Sequence, residues 1–406
     1  MSFPRYPAYQ DSKLEWAKTL PEHWAAKHLK RNVRLLTEKT DTRECPVGLE
    51  NLEGWTGRFI QTESDFQGEG VGFEADDILF GKLRPYLAKV WLADRRGEAI
   101  GDFHVLRPSE CVIPRFIQYQ LLTREVVDLV DGSTYGAKMP RASWGFLGCL
   151  ELPTPPAEEQ LAITNFLDRE TAKIDTLISE QKRLVEIFKL KLSSLALSGF
   201  QDEEPNYQRI GRVTRIISRP VDIKVDEEYE PLGLFNRGRG IFHKESRRGA
   251  DMGDSDFFYV EAGDLVLSGQ FAWEGSVAVA DKSESGCVVS HRYPIIQGDN
   301  ENCLTEFLIA LLWTEHGDFV LNQCSRGAAG RNRPLNLGLL LKEEIALPCL
   351  TIQRAIQEEY RKYVGLKNEQ AKQTGLALER RSALISAAVT GQIDVRGLVK
   401  GEGSEQ

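Results

Sequence analysis

Residues that could carry out catalysis or hold a metal are scattered through the chain, without the spacing that such chemistry needs. The seven cysteines and six histidines form no CxxC, HExxH or HxxxH pattern, so the sequence predicts no zinc or other metal site. It contains neither a GxxxxGK(S/T) phosphate loop nor an NPPY-type methyltransferase motif. The Glu180–Lys182 segment resembles a nuclease ExK fragment but lies in a helical pattern, and Gly238–Gly240 lacks the third glycine of a dinucleotide loop. We therefore expect no catalytic residue, metal or cofactor in this chain.

Basic residues cluster in three segments of a chain whose formal net charge is −9. Residues 79–96, 236–248 and 319–342 are rich in lysine and arginine and nearly free of acidic residues. Arginine suits bidentate contact with guanine, lysine suits phosphate, and neighbouring glycines allow close backbone approach. As groups, these clusters favour contact with DNA, although a solvated loop is the alternative for any one residue. The candidate DNA-binding residues are Arg58, Lys82, Arg84, Tyr135, Lys138, Arg141, Arg237, Arg239, Lys244, Arg247, Gln270, Arg326, Arg331 and Arg333.

Two of these assignments have a structural alternative, and so do the aromatic residues near them. Lys82 and Arg84 lie in a stretch that could serve the framework of the fold. Trp55, Trp91 and Trp144 could stack on bases, but packing in the core is favoured for them and for Tyr135.

The sequence is internally repeated. The stretch DDILFGKLRPYLAKVWLA (76–93) is matched by GDLVLSGQFAWEGSVAVA (263–280), and GAKMP (136–140) by GRNRP (330–334). Gln160 in ELPTPPAEEQLAI is matched by Gln353 in ALPCLTIQRAI, and Ser198-Gly199 by Thr390-Gly391. Four matches in the same order, about 190 residues apart, predict a duplicated fold.

Each copy ends in a long helical pattern. The first helix is predicted from about Pro156 to Ser198, roughly 65 Å at 1.5 Å per residue, and the second from about Ile352 to Thr390. Neither could be stable alone, so we expect the two seams to bury each other as an antiparallel pair. Two unrelated surface helices are the alternative. The predicted seam residues are Leu167, Ile174, Gln181, Phe188 and Leu195, with Ile163, Leu177, Leu184, Val185 and Leu192 interleaved, and Tyr363, Leu366, Gln370, Ala377 and Leu384.

These patterns together predict an α+β protein. Two similar mixed α/β domains are separated by two long antiparallel coiled-coil helices, as an internal pseudo-twofold repeat. The predicted boundaries are 1–155 for the first mixed domain, 156–199 for the first long spacer helix, 200–350 for the second mixed domain, 351–393 for the second long spacer helix and 394–406 for the C-terminal tail. The chain shows no apolar stretch of about 20 residues and no signal peptide, and its cysteine count is odd. We therefore expect a cytoplasmic protein with reduced thiols.

Several motifs resemble type I restriction–modification specificity subunits. They are YPAYQDSKLEWAKTLPEHW (6–24), ILFGKLRPYLAKV (78–90), the turn at 132–134 and LPTPPAEEQLAITNFLDRETAKID (152–175). The second copy keeps Leu347-Pro348, Gln353 and TGQID (390–394). It lacks the double proline and the glutamate, and residues 206–217 diverge from the start of the first copy. The resemblance covers essentially the whole chain.

The resemblance implies two target-recognition domains that each read one half of an asymmetric, interrupted site in double-stranded DNA. The helices would set the gap between the halves and dock two methyltransferase subunits, which methylate adenine. Two motor–nuclease restriction subunits would join for cleavage, and S-adenosylmethionine, ATP and magnesium would be bound by these partners. The chain itself would do no chemistry. The alternatives are a stand-alone site-specific endonuclease or fused methyltransferase, and a purely structural coiled-coil scaffold.

Overall fold

The chain divides into two compact units in a computed structural model. The structure describes residues 3–14, 16–40, 45–62, 68–134, 139–198, 206–327 and 333–398. Unit 1 comprises Met1–Ser179 and Gln373–Gln406, and unit 2 comprises Glu180–Lys372. Among the described residues, no helix has the length and apolar character required to cross a membrane.

The α-helices are short in the globular regions and long at the two predicted rods. They are α1 Leu29–Asn32, α2 Pro114–Leu121, α3 Arg124–Gly132, α4 Trp144–Leu147, α5 Ala157–Ser198, α6 Ile210–Val213, α7 Thr305–Leu312, α8 Glu315–Gln323, α9 Leu337–Leu340 and α10 Leu350–Val389. Helix α5 carries Glu158 and Glu159 in its first turn, where acidic side chains complement the helix dipole. Gly391, with φ of +70°, follows the end of α10. The two predicted long helices are confirmed.

Unit 1 is built from small, mostly antiparallel sheets. Its strands are β1 Tyr9–Leu14, β2 Ala17–Pro21, β3 Ala25–His28, β4 Val33–Leu36, β5 Lys39–Thr40, β6 Pro46–Val47, β7 Gly70–Phe73, β8 Ile78–Gly81, β9 Val90–Leu92, β10 Gly97–Ile100, β11 Phe103–Pro108 and β12 Glu151–Thr154. The sheets have the orders β1-β2, β5-β7-β10-β6, β4-β11-β8-β9 and β12-β3. Ile78 and Phe80 of β8 share a buried core with Ile117 of α2 and Val126 of α3.

Unit 2 repeats the central part of this plan. Its strands are β13 Asn206–Arg209, β14 Thr214–Ile217, β15 Glu228–Tyr229, β16 Leu232–Phe235, β17 Gly240–His243, β18 Arg247–Arg248, β19 Phe257–Tyr259, β20 Leu265–Leu267, β21 Val277–Val279, β22 Val288–Ser290, β23 Ile295–Gly298 and β24 Glu344–Leu347. The sheet β14-β23-β20-β21 has the same order as β4-β11-β8-β9, and β13-β24 corresponds to β12-β3. The remaining strands pair as β15-β18, β16-β17 and β19-β22.

A buried aspartate precedes the same strand in both units. Asp77 and Asp264 are almost fully buried, and each accepts a hydrogen bond from the backbone N–H three residues upstream at 2.8 Å. Asp77 pairs with Arg107 of β11 at 2.6 Å, whereas Asp264 pairs with Arg219, just after β14, at 2.7 Å. A buried carboxylate needs a cationic partner, and unit 1 supplies it from a strand whereas unit 2 supplies it from a loop.

A buried glutamine fixes the start of each long helix. The Oε1 of Gln160 accepts the N–H of Ile113 at 2.9 Å, and the Oε1 of Gln353 accepts the N–H of Leu304 at 2.8 Å. Each glutamine also donates to the backbone carbonyl five residues upstream. Ile113 and Leu304 precede α2 and α7 and have no side-chain cap of their own. The glutamines therefore satisfy a backbone donor that the helix start leaves open.

Within unit 1, the first half of α5 packs against the last half of α10. Ile163 and Leu167 share a buried core with Leu384 and Val389. Further along α5, Asp175 lies 3.6 Å from Arg381, which comes earlier in α10. The two segments therefore run antiparallel in this unit.

Within unit 2, the second half of α5 packs against the first half of α10. Val185 and Leu192 share the unit's core with Ile356 and Tyr363. The Nζ of Lys191 lies 2.5 Å from a carboxylate oxygen of Glu359. In both units, therefore, the long helices bury an apolar face against each other and against the adjoining globular region.

The predicted seam differs from the buried face of α5 at two positions. Leu177 and Leu184 are 53% and 43% exposed, although we expected both in the seam, while Ile178 and Val185 are buried. Successive residues lie about 100° apart around a helix, so burying one of each pair turns its neighbour towards solvent. Of the other predicted seam residues, Leu167, Ile163, Ile174, Leu192, Tyr363 and Leu384 are buried, and Gln181, Phe188, Leu195, Leu366, Gln370 and Ala377 are partly buried.

Candidate nucleic-acid interface

Three surface segments of unit 2 meet around a short 3-10 turn, Ala272–Glu274. At the tip of the β16–β17 hairpin, the N–H of Arg237 donates to the carbonyl of Glu274 at 2.7 Å. The segment after α8 reaches the same turn, because the Arg333 guanidinium lies over the Trp273 ring, 5.0 Å from its centroid. We call the surface formed by Arg237, Arg239, Gln270, Trp273, Arg326 and Arg333 the unit 2 platform.

Backbone carbonyls and aromatic rings hold the arginines of the unit 2 platform in place. The Nε of Arg333 donates to Ser325 at 3.2 Å, and that of Arg326 to Gln323 at 3.1 Å. The guanidinium of Arg239 lies over the Phe235 ring, 5.0 Å from its centroid. Fixing the guanidinium plane reduces the entropy lost when the remaining N–H groups bind a ligand.

The tip of the β16–β17 hairpin has residues with positive φ, and a lysine of α5 donates a hydrogen bond to its backbone. Arg237 has φ of 60°, and Gly238 and Gly240 follow with positive φ. The Nζ of Lys189 donates to the Arg237 carbonyl at 2.8 Å, and burial lowers the pKa of Lys189. The Arg237 side chain is exposed and has no ion-pair partner among the residues described, so it is available to a ligand.

Unit 1 has an equivalent surface around the 3-10 turn Pro85–Leu87. The N–H of Trp55 donates to Ala88 at 3.0 Å, as that of Arg237 does to Glu274 in unit 2, and Trp55 also has a positive φ, 66°. The N–H of Arg84 donates to Pro140 at 2.9 Å. We call the surface formed by Arg58, Lys82, Arg84, Tyr86 and Arg141 the unit 1 platform.

Two of the arginines of the unit 1 platform are paired with carboxylates. Arg58 lies 2.6 Å from Asp175, and Arg141 lies 3.0 Å from Asp102. Arg84 is exposed, and within the described ranges its guanidinium has no ion-pair partner. Of the three, Arg84 is therefore the residue most ready to contact an anionic ligand.

A buried histidine supports the edge of the unit 1 platform. The Nε2 of His104 lies 3.1 Å from the Ala142 carbonyl, and the N–H of Ala142 donates to Lys82 at 2.9 Å. Burial, assisted by the charge of Lys82, lowers the pKa of His104 to about 4. The ring is therefore neutral near pH 7, and its Nε2–H is the donor to Ala142.

Lys244 and Arg247 do not belong to either platform. They follow the far end of β17, where His243 pairs with Leu232, whereas the platform contains the opposite end of that hairpin. Lys244 lies 6.0 Å from the Tyr293 ring, and burial together with the charge of Arg247 lowers its pKa. The predicted residues Tyr135, Lys138 and Arg331 lie outside the described residues.

The aromatic residues separate into core and surface. Trp91 is buried and Trp144 packs on the unit 1 core, whereas Trp55 is 36% exposed. Sequence reasoning missed Tyr86, which is 45% exposed, and Trp273. The repeat alignment contained the signal, because at its offset of 187 residues it places these two aromatic residues at the same position.

One group of metal-ligating side chains also lies in unit 2. Donor atoms of Glu230, His243 and Cys287 all lie within 4.8 Å of one another. Their wide separation in the sequence explains why no spacing motif indicated them.

One curated protein and several solved structures are similar to this chain. No family model matches the chain. The Escherichia coli protein named "Type I restriction enzyme EcoDI specificity subunit" is 22% identical over 185 residues, which span 42% of this chain and 41% of that relative. The match thus covers less than half of the relative's length.

Solved structures match over more of the chain. A chain described under "Structural basis underlying complex assembly and conformational transition of the type I R-M system" has a TM-score of 0.57 at 16% identity, over 92% of this chain and 99% of that one. The HsdS subunit from Thermoanaerobacter tengcongensis matches with a TM-score of 0.42 at 16% identity, over 92% and 98%. The α+β fold with two long helices is confirmed. The resemblance to type I restriction–modification specificity subunits is likewise confirmed, by the curated relative.

Proposed function

We propose that the chain is the DNA sequence-specificity subunit of a type I restriction–modification complex. Residues 1–155 and 200–350 would be its two target-recognition domains, each reading one half of a bipartite, asymmetric site. Residues 156–199 and 351–393 would be the spacer helices, and 394–406 a tail. The observation that carries this proposal is that each unit presents a basic, aromatic platform built from equivalent segments around a 3-10 turn.

The unit 2 platform has the chemistry for reading base edges. A guanidinium presents parallel N–H groups that match the O6 and N7 acceptors of guanine in the major groove, and a good bidentate pair discriminates by about 1–3 kcal/mol. Stacking on Trp273 holds Arg333 in one plane. The exposed Arg84 and Arg237, together with Lys244 and Arg247, would serve as contacts to bases or phosphates.

The long helices present apolar residues that suit the docking of protein partners. On α5, Leu184, Ile187, Leu190 and Leu197 are exposed, and so is Leu376 on α10. Large exposed apolar side chains on a helix face are typical of interaction surfaces. We propose that two methyltransferase subunits dock on the helices and that restriction subunits join them. The partners would bind S-adenosylmethionine, ATP and magnesium, and this subunit would be non-catalytic.

The acidic balance of the chain fits an obligate complex. A formal charge of −9 opposes DNA binding outside the basic platforms, so the partners would neutralise much of the phosphate charge. We expect the purified chain alone to bind DNA weakly and with strong salt dependence. Tight, specific binding by the chain alone in a filter-binding assay would contradict this.

The decisive experiment maps methylated adenine in host DNA with and without this subunit, in cells that carry the partner subunits. We expect methylation at one bipartite motif that disappears when the subunit is removed. Methylation that persists without the subunit would overturn the proposal. Incubating the purified chain with DNA, S-adenosylmethionine and magnesium separates the enzyme alternatives, since methylation or cleavage by the chain alone would establish an endonuclease or fused methyltransferase.

A further inference from the structure

Three separate strand ends of unit 2 converge on one small region beside the β16–β17 hairpin. Glu230 lies between β15 and β16, His243 ends β17, and Cys287 immediately precedes β22. The backbone fixes all three positions. The N–H of Val288 donates to the Glu230 carbonyl at 3.0 Å, and His243 pairs with Leu232 in the hairpin.

The side chains at these positions bring three kinds of metal-binding atom together. The Nδ1 of His243 lies 2.6 Å from one carboxylate oxygen of Glu230. The other carboxylate oxygen of Glu230 lies 3.8 Å from the Sγ of Cys287. One carboxylate oxygen, one imidazole nitrogen and one sulfur all lie within 4.8 Å of one another.

A second carboxylate lies on the opposite side of the imidazole ring. Glu284 Oε1 is 3.4 Å from the Nε2 of His243. Glu284 is itself held in place, because its other oxygen accepts the N–H of Asp281 at 2.7 Å. Metal-binding histidines usually donate their free ring N–H to a carboxylate, which orients the ring. Glu284 occupies the position of such an orienting residue.

We propose that Glu230, His243 and Cys287 bind a zinc ion, with Glu284 orienting the histidine. Zinc accepts oxygen, nitrogen and sulfur ligands at about 2.0–2.3 Å in a tetrahedron, so the ligand atoms lie about 3.3–3.8 Å apart. The donor atoms lie at most 4.8 Å apart, so the longest separation must shorten by about 1 Å to reach this spacing. The Cys287 thiol releases its proton to solvent on binding, and water fills the fourth position. Magnesium and calcium prefer sites made wholly of oxygen, which a thiolate and an imidazole do not provide.

The ion would join the base of the β16–β17 hairpin to the turn that precedes β22. The opposite end of this hairpin carries Arg237 and Arg239 of the unit 2 platform. Zinc binding would therefore stiffen the support of that platform. The proposed zinc site is inferred only from the positions of Glu230, His243, Cys287 and Glu284, and it does not depend on the proposed function.

The test is a cobalt titration of the purified full chain after treatment with a chelator. Exposed Cys111, Cys149 and Cys349 are first replaced by alanine, so that they add no signal. We expect one equivalent of cobalt to give a thiolate-to-cobalt charge-transfer band in the near ultraviolet, which zinc abolishes by displacing the cobalt. The variants Cys287→Ala and His243→Gln should lose the band, and Glu284→Gln should bind cobalt about 10–100-fold more weakly.

The matched control is Cys324→Ala, which removes another buried thiol beside a glutamate, with Sγ 4.0 Å from Glu343. It should keep the band. His243 has an exposed side chain, so His243→Gln remains informative even where Cys287→Ala folds poorly, and circular dichroism checks both. Absence of the band in the parent chain would mean that Glu230, His243 and Glu284 form only an ion-paired cluster, and would overturn the proposal. A band that survives in His243→Gln would overturn it equally.

Discussion

At the scale of single residues, a buried cation in unit 1 and a partly buried one in unit 2 hold the loops that shape the two platforms. In unit 1, Arg381 of α10 donates to the carbonyls of Trp55 and Thr56 at 2.9 and 3.2 Å. In unit 2, Lys189 of α5 donates to the carbonyl of Arg237. Trp55 and Arg237 both have positive φ. The same backbone feature is thus held by a cation from a different long helix in each unit.

Replacing Arg381 with methionine should destabilise unit 1. The side chain is 7% exposed and its Nε lies 3.6 Å from Asp175, so the variant leaves two carbonyls without their donor and removes a cation that pairs with this carboxylate. We expect the free energy of unfolding to fall by about 2–3 kcal/mol, measured by urea denaturation. Arg380→Met is the matched control, because Arg380 is exposed. An equal fall in the free energy of unfolding for the two substitutions would show that the buried contacts of Arg381 do not stabilise unit 1.

His104 should make unit 1 sensitive to acid. Its pKa is lowered from 6.5 to about 4 in the folded state, so the unfolded chain takes up a proton more readily. The stabilisation is complete above pH 6.5 and is lost as the pH falls towards 4, by about 3 kcal/mol in all. Urea midpoints measured across this range should vary less steeply in His104→Gln than in the parent. The exposed His316→Gln is the control, and a parent-like slope in His104→Gln would contradict the assignment.

At the scale of elements, α10 contains two glycines that lower its intrinsic helix stability. Gly365 and Gly375 lie inside α10, although glycine costs about 1 kcal/mol relative to alanine in a helix. Both are exposed, and a Cβ added to either would meet no atom within 4 Å. Helix α10 therefore depends on burial of its apolar face rather than on intrinsic propensity.

Gly365→Ala and Gly375→Ala should each raise the free energy of unfolding by up to about 1 kcal/mol, because alanine restricts the unfolded chain and fits the helix. Thermal and urea denaturation would measure the gain. Gly391→Ala is a control for which we expect the opposite change in stability. Its φ is +70°, and an added Cβ would lie 2.5 Å from the Pro21 side chain, so this variant should be destabilised. A loss of stability in Gly365→Ala would contradict its exposed helical position.

At the scale of the whole molecule, each unit builds its platform on its own core. The sheet β4-β11-β8-β9 supports one platform and β14-β23-β20-β21 the other. Under the proposed function, specificity would then be modular, with each unit responsible for one half of the DNA site.

Single substitutions in the platforms should therefore relax one half-site each. Arg84→Ala should weaken discrimination in one half and Arg333→Ala in the other, each by about 1–3 kcal/mol, measured by methylation mapping with the partner subunits present. Arg209→Ala, which removes an ion pair with Glu344 in the β13–β24 sheet, is the control. Exchanging residues 1–150 for those of a relative should likewise change one half only. A change in both halves from one substitution would refute modular reading.

The sequence by itself determined the duplication and the two long helices. It also indicated the repeated anchors Asp77 and Asp264, and Gln160 and Gln353, because short motifs keep their order in an alignment of the two copies. Helical periodicity is a local property, so the bounds of α5 and α10 followed from the spacing of apolar residues and the flanking proline and glycine.

Only the tertiary structure decided which residues meet across long sequence separations. It selected Ile178 rather than Leu177 for burial on α5, because that choice depends on the surfaces packed against the helix. It brought Arg333 onto Trp273 and His243 beside Cys287. Such contacts arise from strand pairing and loop packing, and the spacing of residues along the chain does not encode them.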